Sequence, residues 1–471
     1  MARAGEHAVV LGGSMAGLFA ARALTESYDR VTVLERDLLS DGVEARHGVP
    51  QGKQPHLLLA RCAQVAEELF PGILDELVAD GGRRWDDGDL SRFHLHFGGH
   101  RIVNSGRIPD PASLINHLGS RPFVEAHVRR RVRALPAVTV LDGHDIADLE
   151  VRYEPGGGRI IGVRAQPRNG QASQRLAADL VVDASGRGSR TPVFLEEWGY
   201  GRPAVEELTV RVAYASMPVR IPRGAVHEDL IVRPFEPGRP RGFAMFRCEN
   251  DTWLVAAATL GEAVLPRTLP ELLEFGSGAA PDRVLAAVRS GEPLGGICVH
   301  RYPSNRWRRY DRMRRFPRNL VVVGDAFCSF NPIYGQGMTV AALEALILRD
   351  CLRGGLCELP ERFFAAAAKS IRVAWQMAVG SDLALPEIEG ARPLSMRLTN
   401  AYLDRVLRAA ESDVLVAQEF LRVTGMVSPP SRLVHPAVVS HVVRANLRRR
   451  VREPATPVAA PVRLAGSSPS S

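Results

Sequence analysis

The first 36 residues restrict the fold more than any other part of the chain. His7 to Leu11 (HAVVL) is a short apolar run of strand type, and Gly12 to Gly17 is a glycine-bearing turn. Ala16 to Ser27 carries apolar residues at helical spacing, and Val31 to Leu34 (VTVL) is a second strand that ends at Glu35. Both strands are apolar throughout, as a parallel sheet covered on both faces requires. A tight turn from strand into helix gathers backbone amides and the positive end of a helix dipole at one point, which suits a pyrophosphate. Glu35 lies 23 residues after Gly12, close to the ~20 at which such folds place a ribose-binding acid. The glycine fingerprint is held by Gly12, Ser14 and Gly17, and a small serine still permits close approach. The pattern predicts a dinucleotide site.

Two later segments repeat the logic of a buried strand ending in an acid. In ADLVVDASGRGSRT the strand ends at Asp183 and small residues follow, at the strand end where open α/β sheets bind ligands. A purely structural turn is the alternative there. In NLVVVGDAFCSFNPIYGQGMTVAALEALIL the strand ends in Gly324-Asp325, followed by a Gly335-Gln336-Gly337 turn and a long helix. Asp325 is suited to accept hydrogen bonds from sugar hydroxyls. The backbone from Gly335 through Gly337 to Met338 offers amides to an oxygen that becomes negative, as a flavin edge does on reduction.

Composition adds mainly exclusions. The 471 residues carry a formal charge of +8, and only Lys53 and Lys369 are lysines among the 60 basic residues. Arg301 to Arg318 and Ser428 to Arg452 are locally basic, but no nucleic-acid motif accompanies them, so no nucleic-acid partner is expected. No apolar run approaches the ~18 residues of a membrane span, and nothing at the start reads as a leader, so a cytoplasmic protein is expected. The six cysteines include no CxxC pair and no cluster has zinc spacing, so reduced thiols and no metal are expected. Val438, Val439, Val442 and Val443 form an apolar stripe beside Arg444 and Arg448 to Arg450, open to packing on the protein or to contact with a membrane surface.

The three motifs, in this order, resemble the FAD-dependent monooxygenases related to aromatic hydroxylases and squalene epoxidase. More closely, the chain resembles actinobacterial flavin epoxidases that act on polyene precursors of polyether antibiotics. The residues that carry this are HAVVLGGSMAG, the loop Arg46-His47-Gly48-Val49-Pro50-Gln51-Gly52 with His56, EELFPG at Glu67 to Gly72, DLVVDASGRGSR and GDAFCSFNPIYGQGM. The likeness spans roughly residues 7 to 350.

The resemblance implies an α/β fold with a Rossmann-like FAD-binding domain of glutathione-reductase type, formed by residues 1–200 and 301–355. An inserted, mostly antiparallel substrate sheet would occupy 201–300, helices 356–452 and a disordered tail 453–471. It implies FAD contacts at Gly12, Met15, Ala16, Gly17, Glu35, Arg36, Arg46, Val49, Arg121, Asp325, Gly335, Gly337 and Met338, and a flavin-side substrate wall of Phe330, Pro332, Ile333 and Tyr334. Bland alternatives stay open. Arg46 is open to reading as a solvated arginine, Arg121 as a surface ion-pair partner and His56 as a cap for a helix over His56 to Phe70, and Cys328 reads as a packed thiol rather than a covalent flavin anchor.

The implied chemistry is epoxidation of a lipophilic polyene through a flavin C4a-hydroperoxide, using molecular oxygen, with electrons from NAD(P)H or a flavin reductase. The flavin performs the hard step, so no catalytic side chain is assigned. An aromatic hydroxylase and a prenyl-chain reductase are the alternatives within this fold, and a flavin-binding sensor the alternative outside catalysis. A halogenase is disfavoured: no two of Trp85, Trp198, Trp253, Trp307 and Trp375 are two residues apart, and no lysine lies between 54 and 368. No residue of the pocket segments reads as a phenol-activating base, which favours epoxidation.

Overall fold

The computed structural model describes residues 3–261 and 263–452. The tail expected to be disordered, 453–471, lies outside them. The opening segment forms strand Gly5–Leu11, helix Met15–Leu24 and strand Tyr28–Leu34. These strands sit in a five-stranded parallel sheet in the order Leu320–Val322, Leu180–Asp183, Gly5–Leu11, Tyr28–Leu34, Val138–Leu141. Its central strands are buried on both faces, which is why they read as unbroken apolar runs rather than as alternating ones. Helices Met15–Leu24 and Gly337–Arg353 pack against one another, so the first and third motifs share a core. A three-stranded antiparallel sheet, His144–Glu154, Gly157–Pro167 and Gln174–Ala177, lies beside this domain, its first two strands joined in a hairpin that turns at Gly156.

A nine-stranded, largely antiparallel sheet forms the second layer. Its centre is the long strand Val205–Arg220, paired on one side with Cys298–Arg308 and on the other with Thr252–Leu260. The sheet departs from the expected 201–300 insert. It reaches back to take Phe93–Phe97, which pairs in parallel with Leu230–Arg233, and forward to take Cys328–Ser329. One face is backed by helices Leu269–Gly276 and Asp282–Arg289. The other face looks toward the dinucleotide domain and the C-terminal helices.

Those C-terminal helices are Leu359–Asp382, Leu394–Ala410, Val414–Thr424 and Pro436–Arg452. The last three pack on Phe93, Leu95 and Leu230. Val438 and Val442 are buried in that cluster while Val443 is exposed, so the valine stripe is divided between core and surface. Among the described residues no helix is long and apolar enough to cross a membrane. The basic run Arg301 to Arg318 is stitched into the fold: Arg308 donates to the Ala326 carbonyl, Arg309 pairs with Glu206 and Asp311, and Arg318 pairs with Glu154.

Gly17 is the tightest point of the opening unit. A Cβ there would stand 1.8 Å from the Gly12 carbonyl oxygen, and a backbone atom on a strand end cannot retreat. Gly17→Ala should cost about 3 kcal/mol, the upper end of overpacking costs. Chemical denaturation against the wild type measures it. An unchanged midpoint would contradict this packing.

Candidate functional site: a cleft at the strand ends

The parallel register brings three distant turns together. Leu11 is paired with Asp183 and Asp183 with Val322, so the segments that follow these strands emerge side by side. Contact is direct. Gly324 (φ +62°) lies so close to the first helix that a Cβ would fall 2.7 Å from that of Ala16. Around this junction, added Cβ atoms at Gly186, Gly188, Gly335 and Gly337 would meet nothing within 4 Å. The four glycines therefore border open space.

At the first turn, Glu35 accepts from the Gly13 amide at 2.8 Å and from the Asp37 amide at 2.9 Å. Arg46 is buried. Its Nη1 stands 3.1 Å from Glu35, and its Nε donates to Glu125 at 2.8 Å. The solvated-arginine reading of Arg46 is thereby corrected. Arg121 is also buried, and its Nη2 donates to Ser14 Oγ and to Glu125, both at 2.8 Å. This gives a reason for serine at the middle position of the glycine fingerprint: it accepts from an arginine at the turn. Val49 is buried beneath the loop, whereas Arg36 is exposed, its Nε 3.8 Å from Asp37.

Glu125 holds this cluster together and was not expected. Burial pushes its carboxyl up, but Arg121, Arg46 and Arg129 outweigh burial and hold it below the ordinary range. The signal was present as acid and arginine at four-residue spacing in helix Arg121–Arg133, which pairs Arg121, Glu125 and Arg129 along one face. On sequence alone such spacing describes a solvent-facing pair equally well.

At the second turn, Asp183 is consumed by its own loop. It accepts from the Ser185 amide at 2.9 Å and from the Thr191 hydroxyl at 2.6 Å, and also from Ser189. Its role is the structural one. Arg187 leaves this turn, donating to the Ser304 carbonyl at 2.7 Å and to Ser329 Oγ at 2.6 Å.

At the third turn, the Asp325 carboxylate has no hydrogen-bonding or ion-pair partner among the described residues. Burial raises its carboxyl above the ordinary range, against the pull of Arg187, Arg121 and Arg308. Behind it, fully buried Glu344 accepts from the Gly324 amide at 2.6 Å and fixes the Gly-Asp corner. Burial pushes the Glu344 carboxyl up to about 8, the Gly324 bond opposing and the Asp325 charge assisting. Met15 is in the core, while Ala16 and Met338 are partly exposed at its edge.

The predicted substrate wall is only partly assembled. Phe330 is buried and packs on Trp375 at 6.5 Å between ring centroids, so its side chain is core. The Tyr334 hydroxyl turns inward to Asp382 at 2.6 Å, and Asn331 donates to the same carboxylate at 3.1 Å. Pro332 and Ile333 remain partly exposed. Cys328 is buried, and burial raises its thiol well above the usual range, as a packed thiol requires. His56 does not cap a helix. The helix begins at Ala60, and the His56 ring bonds the Gln54 carbonyl instead.

These groups fit FAD. Arg121 Nε is buried without a hydrogen-bond acceptor among the described residues, a state that normally costs about 1–3 kcal/mol, and Arg46 Nη1 has only its ion-pair contact with Glu35 and no well-aligned hydrogen bond. A diphosphate supplies acceptors to such guanidiniums. Asp325 has acceptor capacity to spare for the hydroxyls of a ribityl chain, and the four open glycines leave room for a ligand to approach the backbone.

Known proteins share the sequence and fold of this chain. The chain is 35% identical over 458 residues to Protein Rv3254 of Mycobacterium tuberculosis, covering 95% of both chains. It is 27% identical over 440 residues to a kynurenine 3-monooxygenase of Salinispora arenicola, covering 86% of this chain and 85% of that one. It is also 27% identical over 374 residues to 6-methylpretetramide 4-monooxygenase of Streptomyces rimosus, covering 76% and 78%. No protein-family model matches. The fold is shared with PqsL, a probable FAD-dependent monooxygenase from Pseudomonas aeruginosa (TM-score 0.58, 18% identity, covering 80% of this chain and 97% of that one). It is shared too with p-nitrophenol 4-monooxygenase PnpA from Pseudomonas putida (TM-score 0.61, 17% identity, covering 90% and 99%). The chain belongs to the same family as Protein Rv3254, is related in sequence to curated monooxygenases, and has the fold of an FAD-dependent monooxygenase.

Asp325→Ala should remain folded but bind FAD at least about tenfold more weakly, the effect of losing charge-assisted hydrogen bonds. Flavin content after gel filtration measures it, and full occupancy would refute the assignment. Glu344 gives a pH prediction. Because its folded value is raised, its contribution to stability is complete below the unfolded value and declines as pH rises toward about 8. Glu344→Gln should flatten that decline, so the mutant gains on the wild type between about pH 5 and about pH 8. Urea midpoints at the two pH values decide it, and parallel curves would refute it.

Proposed function

We propose that this protein uses FAD and molecular oxygen to epoxidise alkenes of a lipophilic polyene in secondary metabolism, with electrons from NAD(P)H or from a flavin reductase. The observation that carries this reading is the inner face of the nine-stranded sheet. Cross-strand pairing lines up Val232, Ala244, Ala256 and Ser216 on that face, with Phe246 and Leu254 in the next row. Tyr214, on the same face, donates to Asn331 of the third motif at 2.6 Å, so this face addresses the Asn331 to Gly335 loop. A face made mainly of small and apolar side chains suits an apolar chain such as a polyene.

When bound, FAD supplies an electrophilic oxygen derived from molecular oxygen. The chain's own residues do the rest. Arg46, Arg121 and Asp325 bind the cofactor, Asn331 and Tyr334 hold the loop beside it through Asp382, and the alanine row orients the substrate and excludes water. An electron-rich alkene needs no deprotonation to attack such an oxygen. The likeness of RHGVPQG and GDAFCSFNPIYGQGM to polyether epoxidases supports the same reading.

Aromatic hydroxylation is the second reading. It is supported by relatives named for acting on kynurenine and on 6-methylpretetramide.

The test is reduced holoenzyme with labelled oxygen gas and a trisubstituted polyene, followed by mass spectrometry. The expected product gains one labelled oxygen atom and opens in acid to a diol. Rapid hydroxylation of phenols with polyenes untouched would replace the first reading by the second.

A further inference from the structure

One side chain of the cleft has an acceptor that neither cofactor binding nor the fold uses. The segment Lys53 to His56 crosses the inner face of the sheet. Ser216 Oγ donates to the Lys53 carbonyl at 2.6 Å, and Gln54 Nε2 donates to the Cys298 carbonyl at 3.2 Å. Ser216 and Cys298 are cross-strand partners, and the next pair on the same face is Tyr214 with His300. His56, two residues beyond Gln54, therefore stands over the Tyr214–His300 row. Its ring feels the charges of Arg121 on the cofactor side and of His300 on the sheet side, and it keeps part of its surface exposed.

The tautomer follows from geometry. His56 Nδ1 lies 2.9 Å from the Gln54 carbonyl oxygen, which only accepts, so Nδ1 carries the hydrogen. Nε2 is then a bare lone pair, and it has no hydrogen-bond partner among the described residues. Burial, reinforced by Arg121 and His300, pushes the imidazole down to about 4, so the ring stays neutral at neutral pH and the lone pair stays available. His300 is likewise held below its usual range by burial.

We infer that His56 is a specificity-determining residue whose Nε2 accepts a hydrogen bond from a hydroxyl of the substrate, making the preferred substrate a polyene alcohol with its hydroxyl near the reacting alkene rather than a plain hydrocarbon. The inference rests on the proposed epoxidase reading and narrows its substrate class. A neutral acceptor at the Tyr214–His300 end of the alanine-bearing face fixes which end of an elongated chain enters and which alkene comes to rest beside the cofactor. It adds selectivity because an ether or hydrocarbon leaves the lone pair desolvated and unpaired.

The experiment compares farnesol with its methyl ether on FAD-loaded enzyme. Perturbation of the flavin absorption band gives Kd, and product analysis gives turnover. The wild type should bind the alcohol about tenfold more tightly than the ether. His56→Leu should lose that preference with ether binding unchanged, and His56→Gln, which retains a side-chain acceptor, should restore part of it. Equal binding of alcohol and ether by the wild type overturns the inference whether or not the variants fold, and so does a uniform loss of both ligands in a His56→Leu enzyme that keeps its flavin. The two readings fail separately. A binding preference that vanishes in His56→Leu, without oxygenation of either compound, overturns the epoxidase reading alone. Oxygenation of both compounds with no preference overturns the role of His56 alone.

Discussion

The parallel pairing that sets Leu11, Asp183 and Val322 abreast is the constraint on which the rest depends. Three turns separated by well over a hundred residues become one site because their strands are neighbours in a single sheet. Close packing at the junction does not tolerate a methyl group at Gly17 or Gly324 without backbone movement. What the turns present to one another is backbone, and what they leave open is a cleft bordered by glycine. The geometry of the site is thus a consequence of sheet order, and its chemistry is added by side chains that lean over that edge.

Those side chains are arranged around charge that the protein alone does not fully satisfy. Glu125 binds three arginines and Glu35 holds the first turn, yet among the described residues Arg121 Nε has no acceptor and Arg46 Nη1 has only an ion-pair contact with Glu35. Asp325 is kept partnerless by a scaffold that spends Glu344 on its neighbouring amide. Removing one member of such a buried network costs more than its share, because the others are left uncompensated. Preorganisation would be the functional gain: a dianionic diphosphate and a hydroxylated chain would meet groups that are already desolvated and in place.

Much of this was legible in the sequence, and the reasons are local. The opening strand-turn-helix-strand with Glu35, and far downstream the Gly324-Asp325 corner, are each signalled within a short local stretch, and both came out as elements of the observed kind. Long-range pairing left no such trace. Nothing in Phe93–Phe97 announces that it pairs with Leu230–Arg233, more than a hundred residues downstream. Glu125 was hidden because an i,i+4 pair looks the same at a surface and in a core. Phe330 was assigned to a wall on the strength of its loop, whereas its ring turned into the core against Trp375. Asp382, which orders the same loop, lies at the end of a helix distant in sequence and carried no local motif.

The central claim is that the first turn and the third grip opposite ends of one FAD molecule. Titrating flavin-free protein with FAD and, separately, with riboflavin tests it most directly, because riboflavin keeps the ribityl hydroxyls but lacks the diphosphate and adenosine that Glu35, Arg46 and Arg121 are placed to hold. One FAD should bind per chain, at least about 100-fold more tightly than riboflavin, since two charge-assisted contacts account for that ratio. Equal affinity for the two ligands, or no saturable flavin binding, would contradict the account.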